Sequence, residues 1–214
     1  SSGFLQPDDL GHQISQSDCQ AGGERAAGEI LQNFVERRGQ FYAGNISSPV
    51  TAPSSCSRLS AHLAFGTISI RRVWQATEKR RSEVRVLAMT EKNQSVQKQF
   101  RRWQKSIQSM QSRLHWHCHF MQKLEDEPAI EHRNMWSAAN GLRENDFSDR
   151  NFQAWKSGCT GYPLVDACMR SLNKTGWLPF RMRALVVSFA SYSLWLHWRD
   201  TGIHLANSFL DFEP

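Results

Sequence analysis

The sequence predicts a helical protein, and three stretches predict it. Residues 163–176 and 179–198 read as two helices in succession, each opened by a proline, whose fixed φ suits a first helical turn and whose missing N–H leaves no bond unmade. In 97–124, Phe100, Trp103, Ile107, Met110, Leu114 and His117 recur at three- and four-residue spacing, which is one buried helix face. The stretch 24–38 repeats that pattern on a shorter scale, with Ala27, Ile30, Leu31, Phe34 and Val35 on one side.

Taken in order, residues 1–21 are polar and aperiodic and read as a linker or lead-in segment. Gly22-Gly23 precede the helix at 24–38, and Gly39 is its stop. Ser, Pro and Asn make 43–57 a loop. A basic amphipathic helix spans 71–85, followed by a helix pair at 84–94 and 97–124. Residues 125–160 are loop-rich, with turn signals at Asn140-Gly141 and Ser148-Asp149 and a short helical piece at 152–155. In the helix at 163–176, Leu164, Val165, Cys168 and Leu172 form the apolar face and Gly176 ends it. The helix at 179–198 is apolar around most of its circumference and should be buried.

With 214 residues, 40% hydrophobic content and eight Trp, the chain has material for one substantial core. A net charge of +6 favours polyanionic partners. Five scattered cysteines without a C-x-x-C spacing suit a reduced, cytoplasmic protein rather than a disulfide scaffold. No stretch reaches the ~20 apolar residues of a membrane span, and no signal peptide opens the chain.

Two places ask for an anion. In Ser57-Arg58-Leu59-Ser60, hydroxyls, an arginine and a helix start capped by Ser57 combine into a site suited to a pyrophosphate. Arg181 and Arg183, in the first turns of the buried helix, need a carboxylate or phosphate beside them, and Asp211 and Glu213 are near enough in sequence to supply one. The cluster His115-Trp116-His117-Cys118-His119 holds one pair at helical spacing and no second ligand pair, so no metal is assigned.

The pattern GYP-VDA-MR-L--TGW at 161–177, then R-R-----F from Arg181 and D-E-P at the end, resembles the photolyase/cryptochrome family. Upstream, SRLS-HLAFG-IS resembles the same family's phosphate-gripping loop and the helix after it. The resemblance spans 22–214. It implies an all-α FAD-binding domain, preceded in complete members by an antenna domain and followed by further helical sequence. FAD would be held in a folded conformation, its phosphates on Ser57, Arg58, Leu59 and Ser60. Tyr42 would line the flavin pocket, and Cys56 stands where the family has threonine. Arg183 would pair with Asp211 beside the isoalloxazine, with Glu213 near the ring's polar edge.

At the mouth, Trp116 matches a tryptophan that faces a flipped DNA lesion. Arg113 replaces a glutamate there and is grouped with the cofactor contacts; His117 replaces an arginine. Phe180 replaces a substrate-facing asparagine, beside Arg181. Trp198 matches the middle member of an electron-carrying tryptophan chain, Asn145 stands at the outer position, and Trp155 matches a further tryptophan that either carries electrons or packs. The implied activity is light-driven electron transfer from reduced flavin to pyrimidine dimers in UV-damaged DNA, by a monomer that takes a single flipped lesion. The alternatives are a cryptochrome-like photoreceptor without repair, or a helical nucleic-acid-binding or scaffold domain that has lost FAD.

Overall fold

The structure, a computed structural model, describes residues 18–213, and every regular element among them is helical. Residues 1–17 and Pro214 lie outside the described residues, so most of the expected linker and the last letter of D-E-P do too. The rest of that linker is not free. Asp18 N donates to the Lys174 carbonyl (3.1 Å), its carboxylate pairs with Lys174 (2.8 Å), and Gln20 bonds Arg58.

Helix α1 (Glu24–Glu36) buries Ala27, Leu31 and Phe34 along one face. It stops two residues earlier than the periodicity suggests and passes into a 3-10 turn, Arg38–Phe41. Gly39 is needed inside that turn because a Cβ there would lie 2.5 Å from the Phe34 carbonyl oxygen. The predicted loop at 43–57 contains two single-turn helices, α2 (Tyr42–Asn45) and α3 (Ala52–Ser55), tied by Asn45 Nδ2 donating to Ser55 Oγ at 2.8 Å. One turn is too short to leave a periodic signature. After α4 (Ser60–Ala64), the two helices expected at 71–85 and 84–94 are a single one, α5 (Ile70–Thr90), capped by Ser69. Asn93 caps the long α6 (Gln94–Asp126), and the short link 91–93 folds it back along α5.

Helix α7 (Asp149–Ser157) is longer than the 152–155 piece expected and ends on Gly158 in the left-handed region. Helix α8 (Pro163–Thr175) ends likewise at Gly176. Asp166, the acid of the VDA motif, accepts from Thr160 N (2.8 Å), Thr160 Oγ1 (2.6 Å) and Gly161 N (2.9 Å) and so fastens the turn in front of its own helix.

The helix expected to run unbroken over 179–198 does not. α9 (Phe180–Ser188) widens into a π turn, Phe189–Ser193, Trp195 adopts φ 58°, and α10 (Trp198–Ser208) starts afresh. Leu194 N bonds the Phe189 carbonyl five residues back, which shifts the register so that Leu196 is fully buried. Several apolar residues of this stretch, Phe180, Tyr192 and Trp195 among them, are exposed rather than buried.

Two main cores result. One gathers Leu31, Phe34, Tyr42, Leu59, Met110, Leu114 and Trp177; the other gathers Trp155, Met169, Leu172, Leu178, Val186 and Leu196. Trp177-Leu178 crosses from one to the other, and a cavity opens beside that crossing.

Candidate functional site

The cavity has a volume of about 560 Å³, within the usual range for a small-molecule or cofactor site. One end is cationic. Arg58 lines it in a left-handed conformation (φ 60°), its guanidinium 4.1 Å from the centre of the Trp177 ring and its Nε donating to Gln20 Oε1 at 3.2 Å. Among the described residues it has no ion pair. Burial, and then the neighbouring Arg38, lower its pKa, though an arginine starts so high that it stays charged. Arg38 donates to the Ser57 carbonyl (2.7 Å) and fixes the loop. This half-buried guanidinium, with no direct ion pair and Asp211 acting on it only at longer range, is flanked by Ser57 and Ser60 and is a candidate anion site.

Details of the expected loop chemistry change. Ser57 does not cap α4: its Oγ accepts from Leu59 N at 3.4 Å, and α4 starts without a side-chain cap. Leu59 does not line the cavity, because its side chain is fully buried in the first core. Cys56 does line it, and burial pushes its thiol up to about 11, so it is a neutral group there. Tyr42 lines it as well, and burial raises its phenol well above the usual value.

The other end holds the expected ion pair. Arg183 Nη2 lies 2.6 Å from Asp211 Oδ2, and Arg183 is steadied by Nε donating to the Leu178 carbonyl (2.9 Å) and by Phe209 under its guanidinium (4.2 Å). The Asp211 side chain is 3% exposed, and its Oδ1 is buried with no hydrogen-bond partner among the described residues. A buried acceptor left unpaired at a cavity wall calls for an N–H donor from a ligand. Glu213 Oε2 lies 2.7 Å from His117 Nε2, and both residues line the cavity.

At the mouth, Trp116 and Phe120 are about half exposed and, with His119, form an aromatic cluster with ring centres 5.7–5.9 Å apart. Arg113 and Phe180 face each other across the rim, 5.6 Å from guanidinium to ring centre. Arg181 is elsewhere. It is exposed and donates to Ser47 Oγ (2.8 Å), so it never required the buried anion expected for it. Trp198 and Trp155 do not line the cavity: Trp198 Nε1 donates to Asn134 Oδ1, and Trp155 is fully buried in the second core, donating to the Val186 carbonyl at 3.1 Å.

Sequence reasoning missed Gln20, Arg38 and Phe120. Trp177 stood in the quoted pattern without a role. The contacts of Gln20 and Arg38 span 38 and 19 residues, and neither carries a periodic or motif signal.

A helical domain whose cavity brings together an arginine without a direct ion pair, a carboxylate–guanidinium pair and an aromatic rim can take a ligand that carries both an anionic group and an N–H donor. Residues 110–214 match the family described as the FAD binding domain of DNA photolyase. The deoxyribodipyrimidine photo-lyase of Synechococcus is 33% identical over 179 residues, 83% of this chain and 33% of that protein. Cryptochrome-1 of Sinapis alba is 32% identical over 81% of this chain and 32% of its own length. The crystal structure of Synechocystis cryptochrome superposes with a TM-score of 0.74 at 26% identity, covering 98% of this chain and 40% of that one. The chain thus spans about a third of the length of the curated relatives it matches. It belongs to the photolyase/cryptochrome family, and its helical domain is that family's FAD-binding domain.

Proposed function

We propose that this chain is the flavin-bearing part of a light-driven enzyme that repairs UV-induced pyrimidine dimers in DNA. The observation that carries the flavin part of the reading is the presence in one cavity of Arg58, which has no direct ion pair among the described residues, and of Asp211 Oδ1, which has no hydrogen-bond partner there. Arg58, Ser57 and Ser60 would hold the FAD phosphates, with Leu59 contributing backbone only. Arg183 and Asp211 would flank the flavin ring, the free Oδ1 accepting from a ring N–H, and Tyr42 and Cys56 would close one wall with neutral groups. When bound, FAD supplies light absorption and one-electron chemistry. The protein's own part is to orient the cofactor and exclude water. Trp116, His119 and Phe120 offer a stacking surface at the mouth, and Arg113 attracts a DNA phosphate there. Trp198, with Trp155 as a second candidate, would conduct electrons from the surface.

Deoxyribodipyrimidine photo-lyases are among the relatives, which supports repair. Cryptochromes are too, and Arg113 supports that second reading: a guanidinium cannot accept a hydrogen bond from a thymine N3–H as a carboxylate would. The deciding experiment illuminates the FAD-loaded protein with blue light in the presence of a dimer-containing oligonucleotide and a reductant. Restored thymines are the expected result. Flavin bleaching without restoration would mean a photoreceptor. Under both readings Arg58→Ala should abolish flavin retention on gel filtration, and full retention would overturn the phosphate assignment.

A further inference from the structure

We propose that Gln20 is a positioning residue for the cofactor's phosphates, acting through Arg58, so that the segment in front of α1 is part of the binding site. The inference rests on the reading of Arg58 as a phosphate ligand.

Gln20 and Arg58 are joined twice. Gln20 Nε2 donates to the Arg58 carbonyl (3.1 Å), and Arg58 Nε donates to Gln20 Oε1 (3.2 Å). One amide therefore grips both the backbone and the side chain of the same residue. That residue needs gripping, because a non-glycine at φ 60° is in a sparsely populated conformation that persists only where its surroundings fix it. Trp177 supplies a second face, with its ring 4.1 Å below the guanidinium.

The segment is itself anchored at the same corner. Asp18 binds the Lys174 carbonyl and ammonium at the end of α8, just before Gly176 turns the chain to Trp177. The clamp and the ring beneath the arginine thus share one foundation.

The chemistry of the partner matters as much as its position. Gln20 is neutral, so it orients the guanidinium without cancelling its charge, and it occupies Nε rather than the two terminal nitrogens that form a fork for phosphate. A carboxylate at the same place would keep the bond from Arg58 Nε, lose the one to the Arg58 carbonyl because it has no N–H to give, and compete with the ligand for the guanidinium. Orientation and charge therefore make opposite predictions for two substitutions.

FAD affinity and apo-protein Tm should be measured for the unaltered protein, Gln20→Ala, Gln20→Glu and Arg58→Ala. Gln20→Ala should weaken FAD binding about tenfold, the size of one lost charge-assisted contact. Gln20→Glu should weaken it more than Gln20→Ala does, although it keeps the contact with Arg58 Nε that Gln20→Ala loses, an order that a merely structural role would not produce. Gln20→Glu binding FAD with unaltered affinity would overturn the inference, as would Gln20→Ala losing affinity only in proportion to a fall in Tm. Arg58→Ala keeps the two levels apart. If it binds FAD normally, the phosphate reading itself fails; if it loses FAD while both Gln20 variants bind normally, only the clamp fails.

Discussion

Arg183 and Asp211 show how much chemistry a single pair can hold in place. The carboxylate is almost fully buried, yet only one of its oxygens is used by the protein. Asp211→Asn keeps the shape and removes the charge, leaving Arg183 uncompensated. Because Arg183 keeps 28% of its side chain exposed, the loss should be about 1–3 kcal/mol, less than for breaking a fully buried pair. The same change should alter the rate of flavin photoreduction, measured by bleaching under blue light, and an unchanged rate would remove this pair from the redox site. Cys56 makes a second prediction at this scale. Its thiol, raised to about 11, should resist alkylation at pH 8 while exposed Cys118 reacts. Equal reactivity at the two cysteines would contradict the buried, neutral Cys56.

At the scale of elements, the turns decide where the site residues fall. Gly158 ends α7 at φ 69°, and a Cβ there would meet the Asp166 carbonyl oxygen at 2.7 Å. Gly158→Ala combines a left-handed penalty with a backbone clash and should cost roughly 2 kcal/mol or more, read as a lower Tm. A Tm within error of the unaltered protein would show that the turn relaxes freely. The helices themselves were legible from their spacing: α1, α6 and α8 lie where their apolar faces and stop signals put them, apart from frayed ends. The break after α9 was not. A mostly apolar run such as 184–198, with three serines in it, gives no sign of a π turn, because the shift is made by tertiary packing, with Leu196 going inward and Trp195 held outside by Arg143 (4.2 Å) and Asp146 (3.1 Å). The site divides the same way. The need of a buried cation for an anion pointed to Arg181 and Arg183 with Asp211 and Glu213, and the family resemblance singled out Arg183–Asp211, whereas Gln20 and Arg38 reach Arg58 and Ser57 through contacts that no local pattern encodes. Arg181 misled, since it shares a turn with Arg183 but points to solvent.

For the whole molecule, titration bounds the range of stability. Burial lowers the pKa of His62 and His204, so below about 6.5, the ordinary imidazole value, the unfolded chain takes up protons that the folded one does not, and stability falls with acid. Burial raises Cys56 to about 11 and Tyr42 further, so above 9.0 the unfolded thiol ionises first and stability falls again. A Tm profile over pH 5–11 should therefore peak between these flanks, and a monotonic profile would contradict that balance. The net charge of +6 should make any DNA affinity fall steeply with salt. FAD in this cavity is the premise that both functional readings share. The decisive measurement is the visible absorption spectrum of the protein after incubation with FAD and removal of free ligand. A flavin band near one cofactor per chain, lost in Arg58→Ala, is the predicted result; a colourless protein would contradict it.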